Sequence, residues 1–185
     1  MASEKERSSP WWSRSRGLPK TAYDSWRSSL AARANSPTRI LGWAETSSGF
    51  CIAAPATFSY GDELAWQHLG WHEIERGSWN AELNKLSWVR YAPAGEIPSR
   101  GLLELTEPGR LPDLFRERIS ATIAVERFVP LAGERGVIIA ARRDLGRSSV
   151  EWHSTLTRGL SWQTDGVRAA VDQAMEQVKA EYDVG

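Results

Sequence analysis

Few side chains in this sequence could do chemistry, and the three histidines are the most informative of them. His68 and His72 lie four positions apart, a spacing that would align two metal ligands on a helix, but the residues around them have the pattern of short strands and turns. Neither a cysteine nor a third histidine lies near enough in sequence to complete a site. His153, in EWHST, has no neighbouring pattern typical of a hydrolytic triad. The sequence therefore predicts structural histidines and no metal ligand.

The other signatures of catalysis are missing from the sequence. It contains neither the G-x-S-x-G of a nucleophile elbow nor the glycine-rich patterns that cradle phosphates. The single cysteine, Cys51, lies in the apolar run FCIAA, which predicts a buried, unreactive thiol. We therefore predict no catalytic residue and no cofactor.

The composition of the chain argues against some classes of binding partner. The 185 residues carry 23 basic and 23 acidic side chains, so no net charge draws the whole protein to nucleic acid or to an anionic membrane. No run approaches the roughly 20 apolar residues that span a bilayer, and the N-terminus lacks the apolar segment of a signal peptide. Together with the single cysteine, these features predict a cytoplasmic protein without a membrane span.

Residues 1–37 differ in composition from the remainder and are predicted to form an N-terminal extension. The segment is basic and rich in tryptophan, serine and arginine. After Pro19, the pattern TAYD resembles a capping box with Thr21 as N-cap, and Trp26 and Leu30 follow at helical spacing. We expect a short helix near residues 21–34.

Residues 38–185 are predicted to form one mainly β (α+β) domain. Short apolar runs separated by glycine and polar turns indicate an antiparallel barrel or sandwich of about seven to nine strands. A short helix is expected near residues 111–119, followed by a strand whose alternation begins at Ile119. This strand, a second after the turn GERG and a third over VEWHSTLT form a three-strand meander, and a C-terminal helix with an apolar stripe caps the sheets.

The chain holds ten tryptophans, and each ring could either pack in the core or form part of a surface that binds a ligand. Four lie within alternating runs and are predicted to pack in the core or at its rim: Trp43, Trp66, Trp71 and Trp88. The side on which Trp79 lies depends on whether its strand is broken at Gly77, and the sequence leaves that open.

This order of elements resembles pleckstrin-homology-like (PH-like) and GRAM-type barrels. The local similarity is best around Trp71, Glu73 and Ile74, an aromatic-x-acidic-Ile pattern. The chain from residue 38 to 182 also resembles a family of actinobacterial proteins that share an RER-hydrophobic element, here at residues 116–118, and a strand with paired arginines, here Arg142 and Arg143. The resemblance implies a PH-like barrel with a capping helix and carries no activity with it.

Three functional hypotheses follow. The favoured one is a non-catalytic interaction module that binds a protein partner through its barrel surface and its N-terminal extension. Within the extension, tryptophan rings and positive charges are combined as they are at interaction hot spots. The predicted partner-binding residues are Trp11, Trp12, Arg14, Arg16, Lys20, Trp26 and Arg27.

The two alternatives use other surfaces or other partners. The same rings and charges could hold RNA or DNA, with binding that weakens steeply as salt rises. A pocket in the barrel could instead make the protein a small-ligand carrier or an enzyme. An uncovered sheet edge would also allow two chains to pair as a homodimer, or a peptide strand to bind.

Overall fold

The computed structural model describes residues 17–30 and 39–182, and it is mainly β with three α-helices. Ten strands form three antiparallel sheets. The first sheet is a four-stranded meander of β1 (Gly42–Thr46), β2 (Gly49–Ala53), β3 (Thr57–Gly61) and β4 (Trp66–Gly70). The second contains β5 (Ile74–Asn80), β6 (Lys85–Arg90) and β7 (Arg100–Glu104). The third contains β8 (Ile123–Ala132), β9 (Arg135–Arg143) and β10 (Val150–Leu156).

The helices are α1 (Lys20–Leu30), α2 (Leu111–Thr122) and α3 (Val167–Glu181), and a short 3-10 turn, Trp71–Glu73, joins β4 to β5. Within the described residues, no helix has the length and apolar character needed to cross a membrane.

The first two sheets and α2 enclose the main core. Phe58 is its aromatic centre, with ring contacts to Trp71, Trp88 and Phe115 at centroid distances of 5.5, 5.4 and 4.9 Å. A single bridge between Thr46 and Leu105 connects the two sheets. Strand pairing in the described residues therefore stops short of a closed barrel, and the mainly β, α+β prediction is confirmed only at that coarser level.

Two helices differ from their predictions. Helix α2 continues to Thr122, so the strand alternation expected to begin at Ile119 was wrong over the last turn of the helix. Ile119 belongs to α2 and is buried in the main core. The C-terminal helix α3 packs on the third sheet, where Val171 and Val178 share a buried cluster with Ile139. The helix that closes the first two sheets is therefore α2, because its apolar residues face their shared core.

The N-terminal helix α1 lies against the outer face of the first sheet, where Trp26 and Leu30 pack on Ile52. Thr21 is not the N-cap, since the helix already includes Lys20 and the Thr21 hydroxyl donates to Glu63 on the β3–β4 turn. Residues 31–34 of the predicted helix lie outside the described residues.

Candidate functional site

A cleft with a volume of about 420 Å³ lies between strand β5 and helix α2. Its apolar walls come from Trp79, Leu86, Phe115 and Ile119. The volume falls in the range of roughly 300–1,000 Å³ that is typical of ligand pockets.

A β-bulge decides how β5 shapes this cleft. The register with β6 shifts between Ile74 and Arg76, after which Gly77 and Trp79 turn toward α2. A β-carbon on Gly77 would lie 2.3 Å from Cε1 of Phe115, so only glycine lets the helix approach this closely. Trp79 therefore packs against the core side, which answers the question that the sequence left open.

The outer edge of β5 has no neighbouring strand within the described part of the chain, because the sheet order is β5–β6–β7. Most of the strand from Arg76 to Asn80 is exposed. An edge of this kind presents unpaired backbone N–H and C=O groups that can bind a further strand.

Two arginines and one aspartate provide the charge of the cleft. Arg116 lies 3.3 Å from the Asp113 carboxylate, and both side chains are largely exposed. Arg76 lies 3.5 Å from Glu75. The cleft lining, which includes Arg76, Arg116 and Asp113 but not Glu75, therefore has one net positive charge.

A second cluster of polar side chains lies where the third sheet meets the other two. Its centre is Arg142, of which only 2% is exposed. Its Nε donates to the Tyr91 hydroxyl at 2.9 Å, its Nη1 to the Thr122 hydroxyl at 3.4 Å and its Nη2 to the Glu75 carbonyl at 3.2 Å. Nη2 also donates to the Glu126 carboxylate at 3.5 Å. The guanidinium thus connects β9 to β5, to Tyr91 just after β6, to α2 and to β8.

Two histidines adjoin this junction. The His153 ring stacks on Tyr91 with centroids 3.9 Å apart and an angle of 6° between the planes. His72 lies between Asp144 and Glu151, with nitrogen–oxygen distances of 3.7 and 3.4 Å. A recess of about 290 Å³ adjoins the stack, between residues 91–94 and 152–154.

Burial perturbs three titratable groups in the junction. Loss of solvent lowers the pKa of His153 to about 4, helped by the charges of His72 and Arg142. Burial also raises the pKa of Tyr91 and of Glu75, against the opposing effect of neighbouring arginines. These shifts follow from desolvation between packed sheets, and all three guanidinium nitrogens of Arg142 already donate within the protein. We therefore assign the junction a structural role.

The histidines and the cysteine were predicted to be structural residues. Among residues 17–30 and 39–182, no three His, Cys, Asp or Glu side chains are arranged to hold a metal ion. His68 contacts the Ser29 and Ser59 hydroxyls at 2.9 and 2.8 Å, which makes it a structural histidine. Cys51 is fully buried, and burial raises the pKa of its thiol to about 12.

The predicted partner-binding residues divide into three groups. Trp11, Trp12, Arg14 and Arg16 lie outside the described residues. Lys20 and Arg27 are exposed on α1, where Lys20 pairs with Asp24.

The prediction that Trp26 binds a partner is corrected, because its side chain is fully buried between α1 and the first sheet. Its apolar ring is drawn into the helix–sheet contact, so it is a packing residue and offers no surface to a partner.

Sequence reasoning also missed the row of hydroxyls that holds α1 in place. Thr21, Ser25 and Ser29 recur every four residues and therefore lie on one face of the helix. Thr21 donates to Glu63, Ser25 accepts a hydrogen bond of 2.9 Å from the Trp66 indole, and Ser29 contacts His68. The spacing was readable in the sequence, but its partners on the β3–β4 turn and on β4 were not.

Comparison with known proteins adds no functional assignment: no protein-family model matches the chain, and no curated protein or solved structure shows significant similarity to it.

Proposed function

We propose that this protein is a non-catalytic interaction module in which residues 42–122 form a PH-like unit closed by α2. Four strands, three strands and a helix follow one another in that span, whereas the resemblance as drawn from the sequence used the meander of β8–β10 and the C-terminal helix α3; the proposal therefore moves the closing helix to α2. On this proposal the third sheet and α3 form an addition to the unit, held to it through Arg142.

The observation that carries the proposal is the exposed edge of β5 beside an apolar cleft. We propose that an extended segment of a protein partner adds to this edge as a further strand. Backbone hydrogen bonds would supply affinity, and a side chain entering the cleft over Phe115 and Trp79 would supply specificity.

The proposal can be tested with peptides displayed on phage. The full chain is used to select from a random library of 12-residue peptides, and an enriched peptide is then bound to wild-type protein and to two variants. Ser120→Trp places a large ring in the cleft from an exposed position of α2, and Ser28→Trp places the same ring on the exposed face of α1. We expect at least a tenfold loss of affinity for the first variant and no change for the second.

Backbone amide exchange provides the second readout. Binding should slow exchange at residues 76–80, because strand addition protects the amides of the β5 edge. Equal affinity of the two tryptophan variants, or unchanged exchange in β5, would contradict strand addition at this site.

The nucleic-acid alternative stays a prediction, since the tail tryptophans on which it depends lie outside the described residues. Neutralising three or four phosphates should give log K a slope of about −2 to −4 against log salt. A flat response would remove that alternative.

A further inference from the structure

The ion pair between Arg116 and Asp113 lies at the cleft and is weakly held. The two side chains are 82% and 75% exposed, and their closest nitrogen–oxygen distance is 3.3 Å. Exposed pairs of this kind contribute about 0.2–1 kcal/mol, so a competing carboxylate can displace one partner at small cost.

The second arginine of the cleft, Arg76, is also accessible to a carboxylate of a partner. Arg76 has a side chain that is 65% exposed, and its ion-pair partner in the described chain is Glu75, at 3.5 Å. Arg76 and Arg116 flank the apolar walls contributed by Trp79 and Phe115. Cationic groups beside an apolar surface favour a ligand that combines an anion with a bulky hydrophobic group.

Resting on the proposed function, we infer that the cleft selects protein segments in which an acidic residue lies close to a bulky apolar one. In the unbound protein, Asp113 occupies Arg116 as an internal competitor for the partner's carboxylate. The partner's acidic side chain takes the place of Asp113 when the segment binds, while its apolar side chain lies over Phe115.

Substitutions of the two members of this ion pair should have opposite effects on binding. Arg116→Gln removes the group that binds the partner's carboxylate and should weaken binding about two- to tenfold. Asp113→Asn removes the competitor and should tighten binding about two- to fivefold, in line with the worth of an exposed pair.

A double-mutant cycle separates competition from general damage to α2. In the Arg116→Gln background, Asp113→Asn should no longer tighten binding, because the group for which it competes is gone. Glu176→Gln is the matched control: Glu176 and Lys179 form an ion pair of the same spacing on α3, away from the cleft. This variant should bind like the wild type.

The probe is the 12-residue phage library, selected in parallel on full-length wild type and on Arg116→Gln. We expect Asp or Glu to be enriched beside a bulky apolar residue in wild-type selections, and to lose that enrichment in the variant. Peptides that bind the cleft without acidic enrichment, or an Asp113→Asn variant that binds no tighter, would overturn the inference and leave the proposed function standing. If no peptide is enriched at all, the proposed function fails and the inference fails with it.

Discussion

Acidification should destabilise the junction through His153. The ring is packed flat against Tyr91, and burial lowers its pKa from 6.5 to about 4. In the unfolded chain the same imidazole takes up a proton near its ordinary pKa. Between pH 6.5 and pH 4 the unfolded state therefore binds a proton that the folded state does not, and stability falls as the pH falls.

The magnitude follows from the two pKa values. A difference of that size corresponds to about 3 kcal/mol when the folded site is fully shielded. The side chain is 18% exposed, so solvent screening reduces our expectation to about 2 kcal/mol. The loss should be complete near pH 4 and absent above pH 7.

Urea denaturation followed by circular dichroism, at several values of pH between 7.5 and 4, measures this loss. His153→Gln is the comparison, because it keeps a polar side chain on the strand and cannot titrate. Other groups act in both proteins, including Glu75, whose raised pKa opposes the trend. They cancel in the difference between the two curves. Wild type should lose about 2 kcal/mol more than the variant, and parallel curves would refute the reasoning.

Three further predictions test the packing. Trp26→Ala should cost about 3–5 kcal/mol of unfolding free energy, because the buried ring rests on Ile52; an unchanged urea midpoint would contradict this. The thiol of Cys51 should resist Ellman's reagent in the folded protein and react once urea unfolds it, whereas rapid labelling without denaturant would disprove its burial. Gly77→Ala should cost about 1–3 kcal/mol through its clash with Phe115, as measured by thermal unfolding, and a neutral effect would show that the helix can shift.

Most of the local structure, in particular turns and the apolar faces of helices, could be predicted from the sequence. The turn GERG joins β8 to β9, and the apolar stripe of α3 is buried from Val167 to Val178. Period and turn chemistry act over a few residues, so they can be read without knowing the fold. The same reasoning placed Trp71 and Trp88 in the core or at its rim, and both are buried.

Local pattern failed where two elements join without a break. The apolar residues Ile119 and Ala121 are compatible with both a helix and a strand. Ile119 packs into the main core from helix α2, and this contact favours the helix. The assignment of Trp26 failed for a related reason. The helical spacing of Trp26 and Leu30 was recognised, but it does not show that α1 packs these side chains on the outer face of the first sheet.

The mainly β character of the chain, its turns and the apolar stripes of its helices could be predicted from the order of residues, because they depend on neighbours within a few positions. Three features depend on the tertiary structure: which helix closes the first two sheets, where Trp79 points after the bulge, and that Arg76 and Arg116 line the same apolar cleft. Those features depend on contacts between residues as far apart as strand β5 and helix α2, and no local pattern records such distances.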